Sequence, residues 1–127
     1  MVKRATHRGF TLIELLVVLA IVALMLTLAM PHYLPRVEAA KETVLAENLR
    51  TMRDVLAHYY GDTGRYPDSL QQLVDQHYLA ALPLDPMTDS AETWLVQAPD
   101  DGSKGQVVNV RSGAPGNSRQ GTPYAQW

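Results

Sequence analysis

No cysteine occurs among the 127 residues of the chain. Disulfide frameworks, thiolate metal sites and cysteine nucleophiles are therefore excluded, while an oxidising compartment stays open. A dominant charge is missing too: 11 basic residues stand against 13 acidic ones, a formal net charge of −2. The basic footprint of a nucleic-acid binder is absent, so no nucleic-acid partner is expected. Catalytic signatures are also lacking. The sequence has no HExxH, no GxSxG and no phosphate-cradling glycine loop, and His7, His32, His58 and His77 are scattered. The chain reads as a non-enzyme with no catalytic residues. Aromatic residues make up 7% against 46% hydrophobic overall, and many of the apolar side chains fall in one block.

That block runs from Phe10 to Met30, 21 residues with a single charge, Glu14, and two threonines, Thr11 and Thr27. As a helix it would be about 31 Å long at roughly 1.5 Å per residue, and a bilayer core is about 30 Å thick. The match predicts a spanning segment. Lys3, Arg4 and Arg8 precede it and favour a cytoplasmic N-terminus; Arg36 and Lys41 beyond it are interleaved with Glu38 and Glu42. A cleaved secretory signal is the competing reading. Its apolar core would be shorter and would end on a small-residue site, for which Ala29-Met30-Pro31 is a poor candidate.

Glu14 needs a reason to be there. An ionised acid at the centre of a bilayer helix costs about 2.5–3.5 kcal/mol, and less near an end. Either its carboxyl reaches the headgroups or turns neutral, or it meets a positive charge brought by another copy. A cut before Phe10 would create such a charge, an α-amino group about 6 Å away along the axis at roughly 1.5 Å per residue.

Pro31 and Pro35 follow, each removing a helix hydrogen bond. They mark either a membrane-exit kink or a stretch of helix able to loosen when packed among copies. Beyond them Val37, Ala40, Val44, Leu45, Asn48, Leu49, Met52, Val55, Leu56 and Tyr59 recur at helical spacing. Glu38, Lys41, Glu42, Glu47, Arg50, Arg53 and Asp54 are assigned to the opposite, solvated face, with Glu38–Lys41 and Glu47–Arg50 as i,i+3 pairs. The turn-rich Gly61-Asp62-Thr63-Gly64 stops the helix. Asp68 with Gln71 predicts a capping box before a short helix. Strands are expected over Thr93–Gln97 and Gln106–Arg111, joined by the Asp100–Gly105 turn. A Gly-, Ser- and Pro-rich tail runs from Ser112 to Trp127. The fold class is α+β: one long N-terminal helix, half transmembrane and half amphipathic, packed on a small antiparallel β-sheet head.

Arg8-Gly9-Phe10-Thr11-Leu12-Ile13-Glu14, followed at once by the apolar run, resembles the processing and assembly motif of type IV prepilins and type II secretion pseudopilins. The resemblance implies cleavage by prepilin peptidase between Gly9 and Phe10, N-methylation of Phe10, and subunit registry through Glu14. Pro31 falls where many pilins carry a helix-weakening proline. It implies residues 1–9 as a leader, 10–30 as the transmembrane helix, 31–60 as its amphipathic continuation and 61–127 as a periplasmic head with a C-terminal loop. Cleavage would remove Lys3, Arg4 and Arg8, leaving 8 basic residues against 13 acidic ones, a formal charge of −5.

Further along, Gly64-Arg65-Tyr66-Pro67-Asp68-Ser69-Leu70, Leu73-Val74, Tyr78-Leu79, Leu82-Pro83-Leu84-Asp85-Pro86 and Trp94 are similar to the major pseudopilins of type II secretion. The resemblance implies a single-pass protein of the bacterial inner membrane, assembled into a periplasmic pseudopilus that drives protein export. Its partners would be other copies of itself, minor pseudopilins, the peptidase, and an inner-membrane assembly platform with its ATPase. A minor pilin of a motility, adhesion or DNA-uptake fibre is the alternative. Many such major pseudopilins hold calcium in the C-terminal loop. Here no Asp or Glu lies between Arg111 and Trp127. Asn109, Ser112, Asn117 and Ser118 offer neutral oxygens, and Asp85, Asp89, Asp100 or Asp101 would have to approach from elsewhere. Calcium is a possible cofactor on the resemblance alone, and the metal ligands are unassigned.

Overall fold

A computed structural model describes residues 9–127. The expected leader, with Lys3, Arg4, His7 and Arg8, lies outside the described residues apart from Gly9. The elements run α1 (Leu12–Thr63), α2 (Leu70–Asp75), β1 (Trp94–Gln97), β2 (Asn109–Ser112) and a final 3-10 turn (Tyr124–Gln126). The fold is α+β and pilin-like, as expected. The chain divides into two units, one ending at Val37 and the other spanning Glu38–Trp127.

From Leu12 the first unit is helical, and its large apolar side chains are exposed from Leu12 at 75% to Leu34 at 60%. A helix pairs most of its backbone polar groups along its own axis, which is what a segment surrounded by hydrocarbon requires. Thr27 folds its hydroxyl back onto the Ala23 carbonyl at 2.8 Å. Pro31 and Pro35 sit inside α1 and do not end it. Lacking N–H groups, they leave the carbonyls four residues earlier, at Thr27 and Pro31, without the usual helical donor.

The second unit holds the core. Leu45, Leu49, Met52, Leu56 and Tyr59 form a buried stripe on α1, spaced by alternating steps of four and three. Leu70 and Leu73 of α2, Trp94, Val107, Val110, Ala114 and Tyr124 close over it. Each fully buried aliphatic side chain contributes about 1.5–3 kcal/mol of transfer free energy. Val44 and Ala40, assigned to the apolar face, are exposed. They lie beside the stripe, not on it.

α1 reaches Thr63 and stops at Gly64, whose φ of 72° suits glycine and whose N–H donates to the Tyr60 carbonyl at 2.8 Å. The cap of α2 is shifted one residue from expectation. Ser69, not Asp68, is the N-cap: its Oγ accepts from the Gln72 N–H at 3.2 Å, while Gln72 Oε1 accepts from the Asp68 N–H at 2.7 Å. The arrangement is a variant of a capping box: Ser69 caps the Gln72 N–H, but the Gln72 side chain reaches back to the N–H of Asp68, one residue before the N-cap, and not to that of Ser69.

β1 and β2 pair antiparallel, with Trp94 opposite Ser112 and Gln97 opposite Asn109. The second strand starts later than expected because Gln106 and Val107 donate instead to the Pro67 carbonyl, at 3.0 and 3.1 Å. That bond ties the 100–105 turn to the segment before α2. Gly105 lies against it with a φ of 106°, where a Cβ would collide with the Tyr66 carbonyl. Two strands do not make a free-standing sheet; this pair rests on α1 through Val110 and Trp94.

The charged face of α1 differs from expectation. Neither Glu38–Lys41 nor Glu47–Arg50 forms an ion pair; among the described residues the ion pairs are Arg65–Asp68 and Arg119–Glu42. Glu42 is buried, at 9% exposure, and Arg53 is half-buried. The spacing explains Glu42: it stands three residues before Leu45 and so continues the buried stripe backwards.

Candidate functional site

The N-terminal motif sits where the helix begins. Gly9, Phe10 and Thr11 precede the first helical residue, Leu12. Phe10 is 92% exposed, and the position of a Cβ on Gly9 is open space. The Gly9–Phe10 bond is therefore in accessible, non-helical chain.

Thr11 and Glu14 cap the helix reciprocally. Thr11 Oγ1 accepts from the Glu14 N–H at 3.2 Å, and Glu14 Oε2 accepts from the Thr11 N–H at 3.2 Å. This is a capping box. It satisfies donors that have no partner inside a helix, at the end where the helix dipole favours negative charge. The signal was present in the sequence as Thr-x-x-Glu ahead of an apolar run, but reading Glu14 only as a misplaced acid passes over it. The carboxylate is thus partnered within its own chain through one oxygen. Its other oxygen, Oε1, has no protein donor among the described residues. A shallow groove lined by Phe10, Thr11, Leu12, Glu14, Leu15 and Val18 surrounds it. Chemically the site offers a half-used carboxylate in an apolar setting, suited to an incoming cation. Pro31 lines a second apolar groove with Leu26, Thr27, Met30 and Leu34. Glu14 and Pro31 are 17 residues apart on one helix and do not form a common site.

The donors proposed for calcium do not form a binding site. Asp85 is fully buried and committed: Oδ1 accepts from Met87 N–H at 2.8 Å and Oδ2 from Ser112 Oγ at 2.5 Å. Asn109 Oδ1 accepts from the Arg53 guanidinium at 2.9 Å, a cation where a metal would sit. Asp101 is held in a local turn by the Ser103 N–H, and among the described residues no three His, Asp or Glu side chains converge. Ser118 Oγ is buried without a partner, a single neutral oxygen where calcium takes six to eight ligands, usually with carboxylates. The residues present do not fit the ion.

Two polar residues that sequence reasoning placed in solvent reach the C-terminal segment instead. Glu42 Oε1 accepts from the Arg119 N–H at 2.8 Å and from Tyr124 Oη at 3.0 Å, and Glu42 Oε2 from Arg119 Nε at 3.3 Å. The Arg119 main-chain N–H, above all, holds the Glu42 carboxyl below its ordinary range. Burial, then the bond to Glu42, pushes the Tyr124 phenol up. Arg53 donates Nε to Asn109 Oδ1, and Nη2 to the Val110 carbonyl at 3.0 Å and to the main-chain oxygen of Trp127.

Residues 4–30 match the model of the prokaryotic N-terminal methylation motif. Over 124 residues the chain is 25% identical to type II secretion system core protein G of Xanthomonas campestris, covering 91% of this chain and 87% of that protein. It is 34% identical over 71 residues to core protein G of Pseudomonas aeruginosa, 56% of this chain and 50% of that protein. It is 28% identical over 67 residues to the type IV major pilin protein PilA of Myxococcus xanthus, 53% of this chain and 30% of that protein. The chain thus spans half or less of the length of those last two relatives. No solved structure matches it. The motif and these relatives make the chain similar to type IV pilins and to core protein G of type II secretion systems, in keeping with its capped apolar helix and two-stranded head.

Proposed function

We propose that this chain is a structural subunit of a periplasmic pseudopilus in type II secretion. Prepilin peptidase cuts it between Gly9 and Phe10, Phe10 is N-methylated, and the subunit assembles through its N-terminal helix to drive export across the outer membrane. Residues 1–9 are then the leader, 10–30 the inner-membrane span, 31–60 the helix that continues into the periplasm, and 61–127 the head. The observation that carries this reading is the N-terminal half of α1: an apolar surface exposed on all sides, begun by a cap whose acid has one oxygen with no donor among the described residues. A helix apolar all round needs hydrocarbon or other helices about it. The bilayer supplies the first and a filament of copies the second.

In the filament the free oxygen of Glu14 takes the α-amine of a neighbour's Phe10. Pro31 supplies the stretch of helix where copies adjust to one another. Minor pseudopilins, an assembly platform and its ATPase are the remaining partners. The subunit itself does no chemistry; its relatives are named as pilins and core secretion proteins.

A second reading, a minor pilin of a type IV fibre, draws on the matches to type IV major pilins, each over about half of this chain. The alignment over 91% of the chain with a core protein G favours the first.

The test is Glu14→Ala. Membrane insertion and a mature start at Phe10 should persist, while filaments seen by electron microscopy on overproduction should disappear. Filaments of normal number and length from the variant would remove Glu14 from the account.

A further inference from the structure

We propose that the C-terminal segment of the head is fastened without metal, by a two-point clasp on α1 in which Glu42 grips residues 119–124 and Arg53 grips residues 109–110 and 127. This inference concerns the head alone and holds whichever fibre the chain builds.

The segment cannot hold itself. After β2 it contains two isolated bridge positions, Asn117 and Pro123, and one 3-10 turn. Its internal backbone bonds are all local and none reaches α1: Ser118 N–H donates to the Thr122 carbonyl at 2.7 Å, Gly121 N–H to Ser118 at 2.9 Å, Tyr124 N–H to Gly116 at 3.3 Å, Gln126 N–H to Pro123 at 3.0 Å and Trp127 N–H to Tyr124 at 3.0 Å. From Arg111 onward it has two arginines and no acid. It therefore brings no side-chain carboxylate to a cation, and its order has to come from outside.

The helix supplies that order at two places. Glu42 and Arg53 are eleven positions apart, about three turns at roughly 3.6 residues per turn, and so lie along one face. At the first point three donors converge on one buried carboxylate: Arg119 N, Arg119 Nε and Tyr124 Oη. A carboxylate has about four acceptor sites, so three of them are filled. The charged and titratable groups around Glu42 are Arg119 from the loop, the neutral phenol of Tyr124 from the 3-10 turn, and Glu38 one turn earlier on its own helix. At the second point the planar guanidinium of Arg53 spans three acceptors, two at the start of β2 and one at Trp127. Only an arginine offers several donors in such a fixed fork. Tyr124, bonded at the first point, and Trp127, bonded at the second, meet edge to face at 5.5 Å, so an aromatic contact links the two points. The bonds are charge-assisted, the stronger class of hydrogen bond.

The experiment uses the full chain in detergent micelles, with amide hydrogen exchange followed by mass spectrometry at fixed pH. Three conditions are compared: no addition, EDTA, and calcium at about 10 mM, roughly tenfold or more above the Kd of extracellular-type sites. Exchange over residues 113–127 should be the same in all three. Glu42→Gln should speed exchange of residues 117–124 by about tenfold, the scale of one lost charged hydrogen bond, with residues 45–59 unchanged. Tyr124→Phe removes a single bond and keeps the ring, and should raise exchange of the same residues by a smaller factor. If Glu42→Gln loosens the whole head, Tyr124→Phe decides. Faster exchange of residues 113–127 in EDTA, slower exchange in calcium, or no change in this segment with Tyr124→Phe would each overturn the clasp.

Discussion

The two halves of α1 share one helix and opposite fates. Before Val37 its large apolar side chains face outward on every side; after it, Leu45, Leu49, Met52, Leu56 and Tyr59 are almost wholly buried in their own fold. Hydrophobicity alone does not separate them. Arrangement does. An all-round apolar surface has no single face to bury and must find a different solvent, whereas a 4-3 stripe has one face and closes a core. The polar residues follow the same division. Glu14 caps the first half through one oxygen, the other having no donor among the described residues, while Glu42 has spent both oxygens on a partner inside the head.

The sharpest way to break this contrast is in the buried half. Leu49→Ala should destabilise the head by about 2–5 kcal/mol, the range for a buried leucine truncated to leave a cavity. For a domain of this size that is a fall in Tm of at least about 8 °C, read by circular dichroism of the full chain in detergent. A Tm unmoved by Leu49→Ala would mean that the stripe does not hold the head.

Acid should produce the next largest effect. The native Glu42 carboxyl is held below the ordinary glutamate range, chiefly by the Arg119 main-chain N–H. The sign follows from linkage: a lowered native pKa stabilises fully above the unfolded value, about 4.3, and that stabilisation is lost as pH falls through the native value. Melts from about pH 7 to about pH 3 should therefore show Tm falling at the acid end. Glu42→Gln should remove part of that fall, and an identical acid slope in the variant would contradict it.

The smallest effect belongs to the exposed half. Leu19→Ala changes a side chain that is 56% exposed, and the same head melt should shift by no more than about 0.5 kcal/mol. A loss comparable to that of Leu49→Ala would show that the two halves are not energetically distinct.

Much of this contrast was legible in the residues. The apolar run, the stripe, the helix stop at Gly64 and both strands could be read from period and punctuation. So could the motif at Gly9-Phe10 and the acid at Glu14, because local sequence alone carries them. The misreadings share a cause. The sequence pattern puts Glu42 and Arg53 in solvent because charged residues usually are there, whereas their partners lie 77 and 56 positions away at Arg119 and Asn109. Val107 left the strand for the Pro67 carbonyl, again a long-range choice. Ser69 displaced Asp68 as the cap by a single residue, which composition does not resolve when both are good caps. At Glu14 the Thr-x-x-Glu signal was visible but was read for its charge and not for its hydrogen bonds.

The most direct test of the central claim, a subunit readied for assembly by a cut that makes a new amine beside Glu14, is intact-mass and N-terminal peptide mass spectrometry of the protein taken from its native membrane. The account predicts a chain that starts at Phe10 and carries one added methyl group on that residue. A chain that still carries residues 1–9, or one that is cut after the apolar run, would contradict it.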